Sequence, residues 1–545
     1  MRRLAGLAAL LLALSACTSE PATESGTDPT NPAPAGSSTT LVGEPTMTCW
    51  TAEAAEKAGP ISFQDATESA GLVDPLTGMH GHTAVWTDVN GDDRPDLYVG
   101  TFADSDAEEY AFRGATTASP DRLLVSDGST FTVDENLPET FTRTSGGVTA
   151  DLDGDGDLDM VVSRNRDEDE QELTSSQVLE NQGGSLVPAG ELALPDVFGG
   201  RSVGVLDYDR DGLYDLFIAE DHWVNGSSRL LHNDGGLSFS DATAEAGIPD
   251  DVHGLGVATA DFDGDGLTDM FVSGSNRLFL SDGPGRFREA DNSVFAWDSY
   301  GDEDDVAGAS VADVNRDGLL DIAIGQHYNS TLEFGTEVAV RLYLNRGDGR
   351  FEDVTEQAGL VPIPTKAPHV ELNDFNNDGW PDLLASAAAG DGPAVFVNQG
   401  VEDGVPRFSA PDGLGSAQYW VAAPSTDYDR DGRLDVFMVE WYPSLPSILL
   451  RNETQSGHWL EVSVGADHGY GIGWRVEVRD GDELIGAREI TVTQGYSAGV
   501  LPIAHFGLGA ADAVDVRLIP TDGSGPIDLT GVTANQHLRW PNGCG

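Results

Sequence analysis

Asp151-Leu152-Asp153-Gly154-Asp155-Gly156-Asp157-Leu158-Asp159 places oxygen-bearing side chains at its positions 1, 3, 5 and 9 and a glycine at position 6. Six further stretches share the spacing, beginning at Asp88, Asp207, Asp261, Asp313, Asp374 and Asp427, so that successive copies start 63, 56, 54, 52, 61 and 53 residues apart. Self-similarity at a period near 50 predicts a repeat architecture. The oxygen donors of the other copies are Asp88, Asn90, Asp92 and Asp96; Asp207, Asp209, Asp211 and Asp215; and Asp261, Asp263, Asp265 and Asp269. The last three copies supply Asp313, Asn315, Asp317 and Asp321; Asp374, Asn376, Asp378 and Asp382; and Asp427, Asp429, Asp431 and Asp435. A hard divalent cation takes six to eight oxygens, and alternate residues of a tight loop can all point inward, so these sets are candidate calcium ligands at up to seven sites. Position 6 is glycine in every copy but the first, where Asp93 stands. Asp tolerates left-handed backbone angles better than most residues, and that site is expected to be the weaker.

The loops are not EF-hands, which need a bidentate Glu at position 12; here that position holds Val99, Val162, Ile218, Val272, Ile324, Ala385 and Met438. A short apolar run follows each loop, as in Leu158-Asp-Met-Val-Val162 and Tyr214-Asp-Leu-Phe-Ile218, and reads as a strand. A second element recurs as Phe63-Gln-Asp65, Phe239-Ser-Asp241 and Phe351-Glu-Asp353, the internal copies following an Asn/Gly turn. One repeat is then strand, Asp loop, strand, strand, turn, strand, the four-stranded unit of a β-propeller blade. The Phe63 copy has no hairpin partner before it, and the seventh repeat stops after Ser447-Ile-Leu-Leu-Arg-Asn452, so the first strand is expected to complete the last blade and close the ring.

These residues resemble the FG-GAP or VCBS repeats of the integrin α-chain propeller over roughly 61–452. After Asn452, Gly471-Ile-Gly473, Gln494-Gly-Tyr496, His505-Phe-Gly-Leu-Gly509, Val514-Asp-Val-Arg517 and Asn535-Gln536 resemble the ASPIC/UnbV domain, which follows such a propeller in the cartilage acidic protein family and its bacterial relatives. The resemblance implies calcium and a binding role, with no general reaction attached. Alternating runs within 457–545, such as Trp459-Leu-Glu-Val-Ser-Val464, read as a small β-sandwich. The fold expected is all-β: a seven-bladed β-propeller over 46–452, then that sandwich.

Ahead of it, Arg2 and Arg3 precede an apolar stretch over 4–14, too short to span a bilayer, which reads as an export signal over 1–16. Leu14-Ser15-Ala16-Cys17 resembles a bacterial lipobox, which makes Cys17 a lipidation candidate and a lipid the expected membrane anchor. Residues 17–45, rich in Ser, Thr, Pro and Gly, read as a flexible tether. Cys49 and Cys544 form an even pair expected to be disulfide-bonded in an oxidising compartment, two free thiols being the alternative.

With 29 Lys and Arg against 92 Asp and Glu, the net charge of −63 argues against nucleic acid or an anionic membrane surface as the partner. Cation occupancy at about ten times the dissociation constant contributes about 1.4 kcal/mol per site, on the order of 10 kcal/mol for seven, so calcium is expected to be structural. The function expected is a surface-tethered module that binds an extracellular protein or glycan. An exported glycan- or ester-active enzyme is an alternative, using His80, His82 and His253 in the channel; so is a structural envelope role. His505 is expected to be a packed core residue.

Overall fold

The computed structural model describes residues 39–42 (backbone only), 47–104, 106–166, 175–192, 194–195, 197–221, 226–296, 306–327, 337–441 and 446–544. The predicted signal, Cys17 and nearly all of the predicted tether lie outside the described residues.

Each Asp loop joins two antiparallel strands, and the unit they begin is the same around the chain. In the first, Gly81–Thr87 pairs with Asp96–Thr101, which pairs with Arg122–Ser126 and then Phe131–Val133. Among the described residues the pairings give seven such four-stranded units. Two of them are joined edge to edge where Phe198–Leu206 meets Asp159–Arg166. In the last unit Ser425–Thr426, Asp435–Met438 and Ile448–Asn452 are completed by Phe63–Asp65 from the other end of the sequence. The apolar run after each loop is buried on both faces, as in the second strands Asp159–Arg166 and Asp215–Glu220, because neighbouring units stack on either side of it.

The first strands of successive units pack side by side around a central channel. Strands converging on an axis leave little room, and small residues occupy them. A Cβ on Gly146 would lie 2.2 Å from the carbonyl oxygen of Arg201 in the next unit. Across the seam between the last and first units, Trp86 Nε1 donates to the Pro424 carbonyl (3.1 Å), and the Ser425 amide of the last unit donates to Glu371 of the sixth (3.1 Å).

The C-terminal residues form two facing sheets around Leu460, Val462, Val476, Val478, Phe506 and Leu518. One carries His458–Val464, Ile503–Gly509 and Gln536–Trp540; the other Arg475–Asp480, Glu483–Glu489, Ala513–Ile519 and Ile527–Thr533. Both recruit a strand from before the repeats: Thr48–Thr51 pairs with Gln536–Trp540, and Thr39–Val42, inside the stretch read as tether, pairs with Ile527–Thr533. Thr48–Thr51 thus belongs to the sandwich, although the sequence reading starts the propeller at 46. A disulfide links Cys49 to Cys544, with Cα atoms 4.8 Å apart. No helix among the described residues is long and apolar enough to cross a membrane.

Candidate functional site: acidic loops beneath a capped channel

The Asp loops are built by their own carboxylates. In all seven, the position-9 Asp accepts the backbone amide of position 2 through one oxygen, as in Val89 to Asp96 (3.1 Å) and Phe262 to Asp269 (2.8 Å). Its other oxygen accepts an amide from the third strand, such as Ser126 or Asn181. The position-6 amide donates back to the position-1 carboxylate in six loops, for example Gly379 to Asp374 at 2.6 Å. The six position-6 glycines, Gly156 included, take φ values of 80° to 96°, and Asp93 reaches 65° in the same place.

Burial pushes the position-9 carboxyls up, to about 7 for Asp96, Asp159 and Asp215 and about 8 for Asp269. Burial also raises Asp321, Asp382 and Asp435 well above the ordinary range, and neighbouring carboxylates add to the effect. Each oxygen keeps a lone pair beyond its amide bond, so the set can still ligate.

The donor set fits a hard divalent cation. Asp151, Asp153 and Asp159 bring ligand atoms within 4.8 Å of one another, as do Asp207, Asp209 and Asp215, and Asp261, Asp263 and Asp265. Buried Asp263 Oδ1 and Asp429 Oδ1 have no hydrogen-bond partner. In three loops arginines also partner the carboxylates: Arg94 pairs with Asp92 (3.1 Å), Arg288 with Asp263 (3.3 Å), and Arg433 with Asp431. Asn315 and Asn376 hydrogen-bond the Asp two residues on, within their own loops.

The sequence reading did not single out the third-strand asparagines. Asn181, Asn233, Asn345, Asn398 and Asn452 each accept their own turn and carry an Nδ2 that reaches a carbonyl in an earlier loop, as Asn181 does to Val89 (2.8 Å). Their signal was the Asn/Gly turn itself.

The sandwich sits on this loop face and touches every loop. Arg539 pairs with Asp93 (2.6 Å), Tyr470 Oη donates to the Gly156 carbonyl (2.6 Å), and Tyr214 Oη donates to the Gly469 carbonyl (2.8 Å). The Asp261 amide donates to Glu489 (2.8 Å), Arg475 donates to the Gly318 carbonyl, and His505 Nε2 meets Asn377 Oδ1 at 2.8 Å. At the seventh loop a Cβ on Gly432 would fall 2.1 Å from the Trp459 indole nitrogen. His505 is thus buried, as expected, but it is engaged: its other nitrogen faces Glu461, which also pairs with His537 (3.1 Å).

From the sandwich a finger enters the channel. Thr493–Gln494 and Ala498–Gly499 form its two sides, and Ala498 and Gly499 pair in parallel with Ala84 and Val85. Ser310 Oγ bonds Gln494 (3.0 Å), the Gly495 amide donates to the Ala309 carbonyl (3.1 Å), and the Ser497 amide donates to Ser202 Oγ (3.0 Å). At the tip, His82 Nδ1 lies 3.2 Å from Ser497 Oγ. Its Nε2 faces Arg201 (3.3 Å) and Tyr496 Oη (3.4 Å), and its ring stacks on Phe102 at 4.4 Å.

The sequence reading finds no Gly-x-Ser-x-Gly elbow, but Gly495-Tyr496-Ser497-Ala498-Gly499 has that spacing. Ser497 has the left-handed φ (59°) of a tight turn, but it is buried and bonds the Ser145 carbonyl, and no helix follows it. Arg201, which faces His82, is itself bound to Asp221 at 2.6 Å, and burial followed by the Arg201 charge pushes the His82 pKa well down. That is the wrong polarity for a His–acid relay. His80 and His253 each directly precede the first strand of their unit, and His80 packs on Trp441 at 4.1 Å.

The family described as FG-GAP-like repeat matches residues 151–218, 207–272, 332–385 and 374–438, and that described as ASPIC and UnbV matches 465–542. Cartilage acidic protein 1 of Homo sapiens is 28% identical over 351 residues, 60% of this chain and 51% of that protein. Integrin alpha-4 of Xenopus laevis is 36% identical over 109 residues, 19% of this chain and 10% of the integrin. The chain spans about half the length of the cartilage acidic proteins it matches. Among solved structures, rhamnogalacturonan lyase YesW aligns with a TM-score of 0.37 and 12% identity, covering 74% of this chain and 75% of the lyase. The V. cholerae biofilm matrix protein Bap1 aligns with a TM-score of 0.34 and 12% identity, covering 87% and 76%. Both likenesses are too loose to bear on function. The chain carries FG-GAP-like repeats followed by an ASPIC and UnbV domain and is homologous to cartilage acidic protein 1.

Proposed function

We propose that this chain is an exported, cell-surface binding protein of the adhesion type, stabilised by calcium in up to seven Asp loops. It would be held to the membrane by lipid at Cys17 and would present one face of its ring to an extracellular protein or glycan. The observation that carries this reading is the position of the sandwich. It covers the Asp-loop face and its finger fills the channel, so calcium would rigidify the seat of the cap and the opposite face would be the one presented to a partner. At the channel mouth on that face, Trp441 packs on His80 and Phe102, and Arg143 lies over Phe102 at 4.6 Å. Such a mix of aromatic and guanidinium groups suits a sugar or an acidic side chain. The similarity to integrin alpha and cartilage acidic protein 1 supports a binding role over a catalytic one. The test is a panel of glycans and matrix proteins, read with the native chain and Trp441→Ala, in calcium and in chelator. Binding that needs both calcium and Trp441 is expected. Binding indifferent to both, or none at all, would sink the reading.

A further inference from the structure

The Asp loops also touch one another, through the residue at position 4. That residue lies in the left-handed region in every loop, with φ between 57° and 81°. Glycine is at home there and supplies Gly91, Gly154 and Gly264, but the other four loops carry Arg210, Arg316, Asn377 and Arg430. A large side chain in that region is uncommon and costs strain, so its contacts matter. Each of the four reaches the next loop around the ring. Arg210 donates to the Gly266 carbonyl (2.6 Å), Arg316 to that of Gly379 (2.9 Å) and Asn377 to that of Gly432 (2.8 Å). Arg430 crosses the seam to the Asp92 carbonyl (3.1 Å).

Three of these acceptors are the position-6 glycines whose own amides bond the position-1 carboxylate of their loop. Asp92, the fourth, likewise donates its amide to Asp88 (3.0 Å). Each donor, in turn, sits between the position-3 and position-5 ligands of its own loop. A cation that draws one loop's carboxylates together therefore sets the turn whose carbonyl the previous loop holds. Where position 4 is glycine, the following loop is instead fastened to the cap: the second by Tyr470, the third through Tyr214 and the fifth by Arg475.

We propose that Arg210, Arg316, Asn377 and Arg430 couple neighbouring cation loops, so that cations load cooperatively along the runs third–fourth and fifth–sixth–seventh–first. This rests on the reading of the loops as calcium sites. The test is calcium titration of the full chain, read by native mass spectrometry as the distribution of bound ions at half saturation. The comparison is the R210G/R316G/N377G/R430G variant, whose glycines are the residues three loops use naturally.

The native chain is expected to show excess empty and heavily loaded molecules and a Hill coefficient above 1. The variant is expected to show a binomial distribution and a coefficient of about 1. Arg316→Lys, which keeps a donor, should restore most of the skew that Arg316→Gly removes, and this pair carries the test if the fourfold variant does not fold. Calcium bound with the same skewed distribution in native and latch-free proteins overturns the coupling alone. Calcium bound by neither overturns the calcium reading, and the coupling with it.

Discussion

Stripping divalent ions should make this protein stable in mild acid and unstable at mildly alkaline pH. Asp96, Asp215 and Asp269 are fully buried at position 9 of their loops, and burial places their carboxyls at about 7, 7 and 8. In the unfolded chain an Asp titrates near 3.9. The folded state therefore binds protons that the unfolded state releases. The stability this confers is complete below about pH 4, declines as pH rises above it, and is gone once pH passes the folded values of about 7 to 8. A gap of about three pH units corresponds to about 4 kcal/mol per carboxyl, and three carboxyls together reach the order of 10 kcal/mol. That matches the whole stability of a typical domain.

At pH 5 only about a third of that loss has accrued, roughly 1.5 of 4 kcal/mol per carboxyl. The depressed carboxyls are not yet protonated: against the desolvation of its burial, hydrogen bonds from His505 and His537 hold Glu461 at about 2. The measurement is thermal unfolding by circular dichroism of ion-free protein at pH 5 and pH 8, repeated in millimolar calcium. The ion-free melting temperature should fall steeply between the two pH values, and calcium should restore it at pH 8. An ion-free protein that melts no lower at pH 8 than at pH 5 would refute the reasoning, because the loop carboxylates would then be tolerated charged without a counter-ion.

Gly507→Ala should loosen the cap, since its Cβ would lie 1.9 Å from Asp374 Oδ2. Overpacking of this kind costs about 1–3 kcal/mol, and the expected result is a lower melting temperature with faster proteolysis of residues 453–457. Unchanged proteolysis would mean the cap does not depend on that approach. Cys49→Ser removes a link across 495 residues of sequence, worth on the order of 5 kcal/mol from chain entropy. Its melting temperature should fall to that of the native chain in reductant, and a melting temperature equal to the oxidised native chain would contradict the estimate.

The parts legible in the sequence were those written locally. The Asp loops, the apolar strands after them and the pairing of Phe63–Asp65 with Ile448–Asn452 all follow from spacing and turn chemistry within one repeat, or from counting strands at the two ends. What stayed hidden depends on residues far apart in the chain. Tyr470 meets Gly156 and Ser497 meets His82 across more than 300 residues, and no periodicity marks them. The strand Thr48–Thr51 is too short and polar to announce that it belongs to the last domain. The latches at position 4 were visible as Arg or Asn among glycines. Their meaning needed the neighbouring carbonyl, which only the closed ring supplies. His80 and His253 shared a spacing because they share a slot in the repeat, whereas the histidine at the finger tip, His82, has no such echo.

The pairing of Phe63–Asp65 with Ile448–Asn452, and of Thr48–Thr51 with Gln536–Trp540, bears on how the molecule is made. The ring cannot be completed before Ile448–Asn452 have been made, nor the cap before Gln536–Trp540. Until then, the early units hold an unpaired edge and an open channel, a state prone to wrong partnering. Ile448–Asn452 thus seal the ring, and the sandwich that follows them plugs its axis and covers its loops, an order of assembly that a product truncated ahead of either cannot imitate.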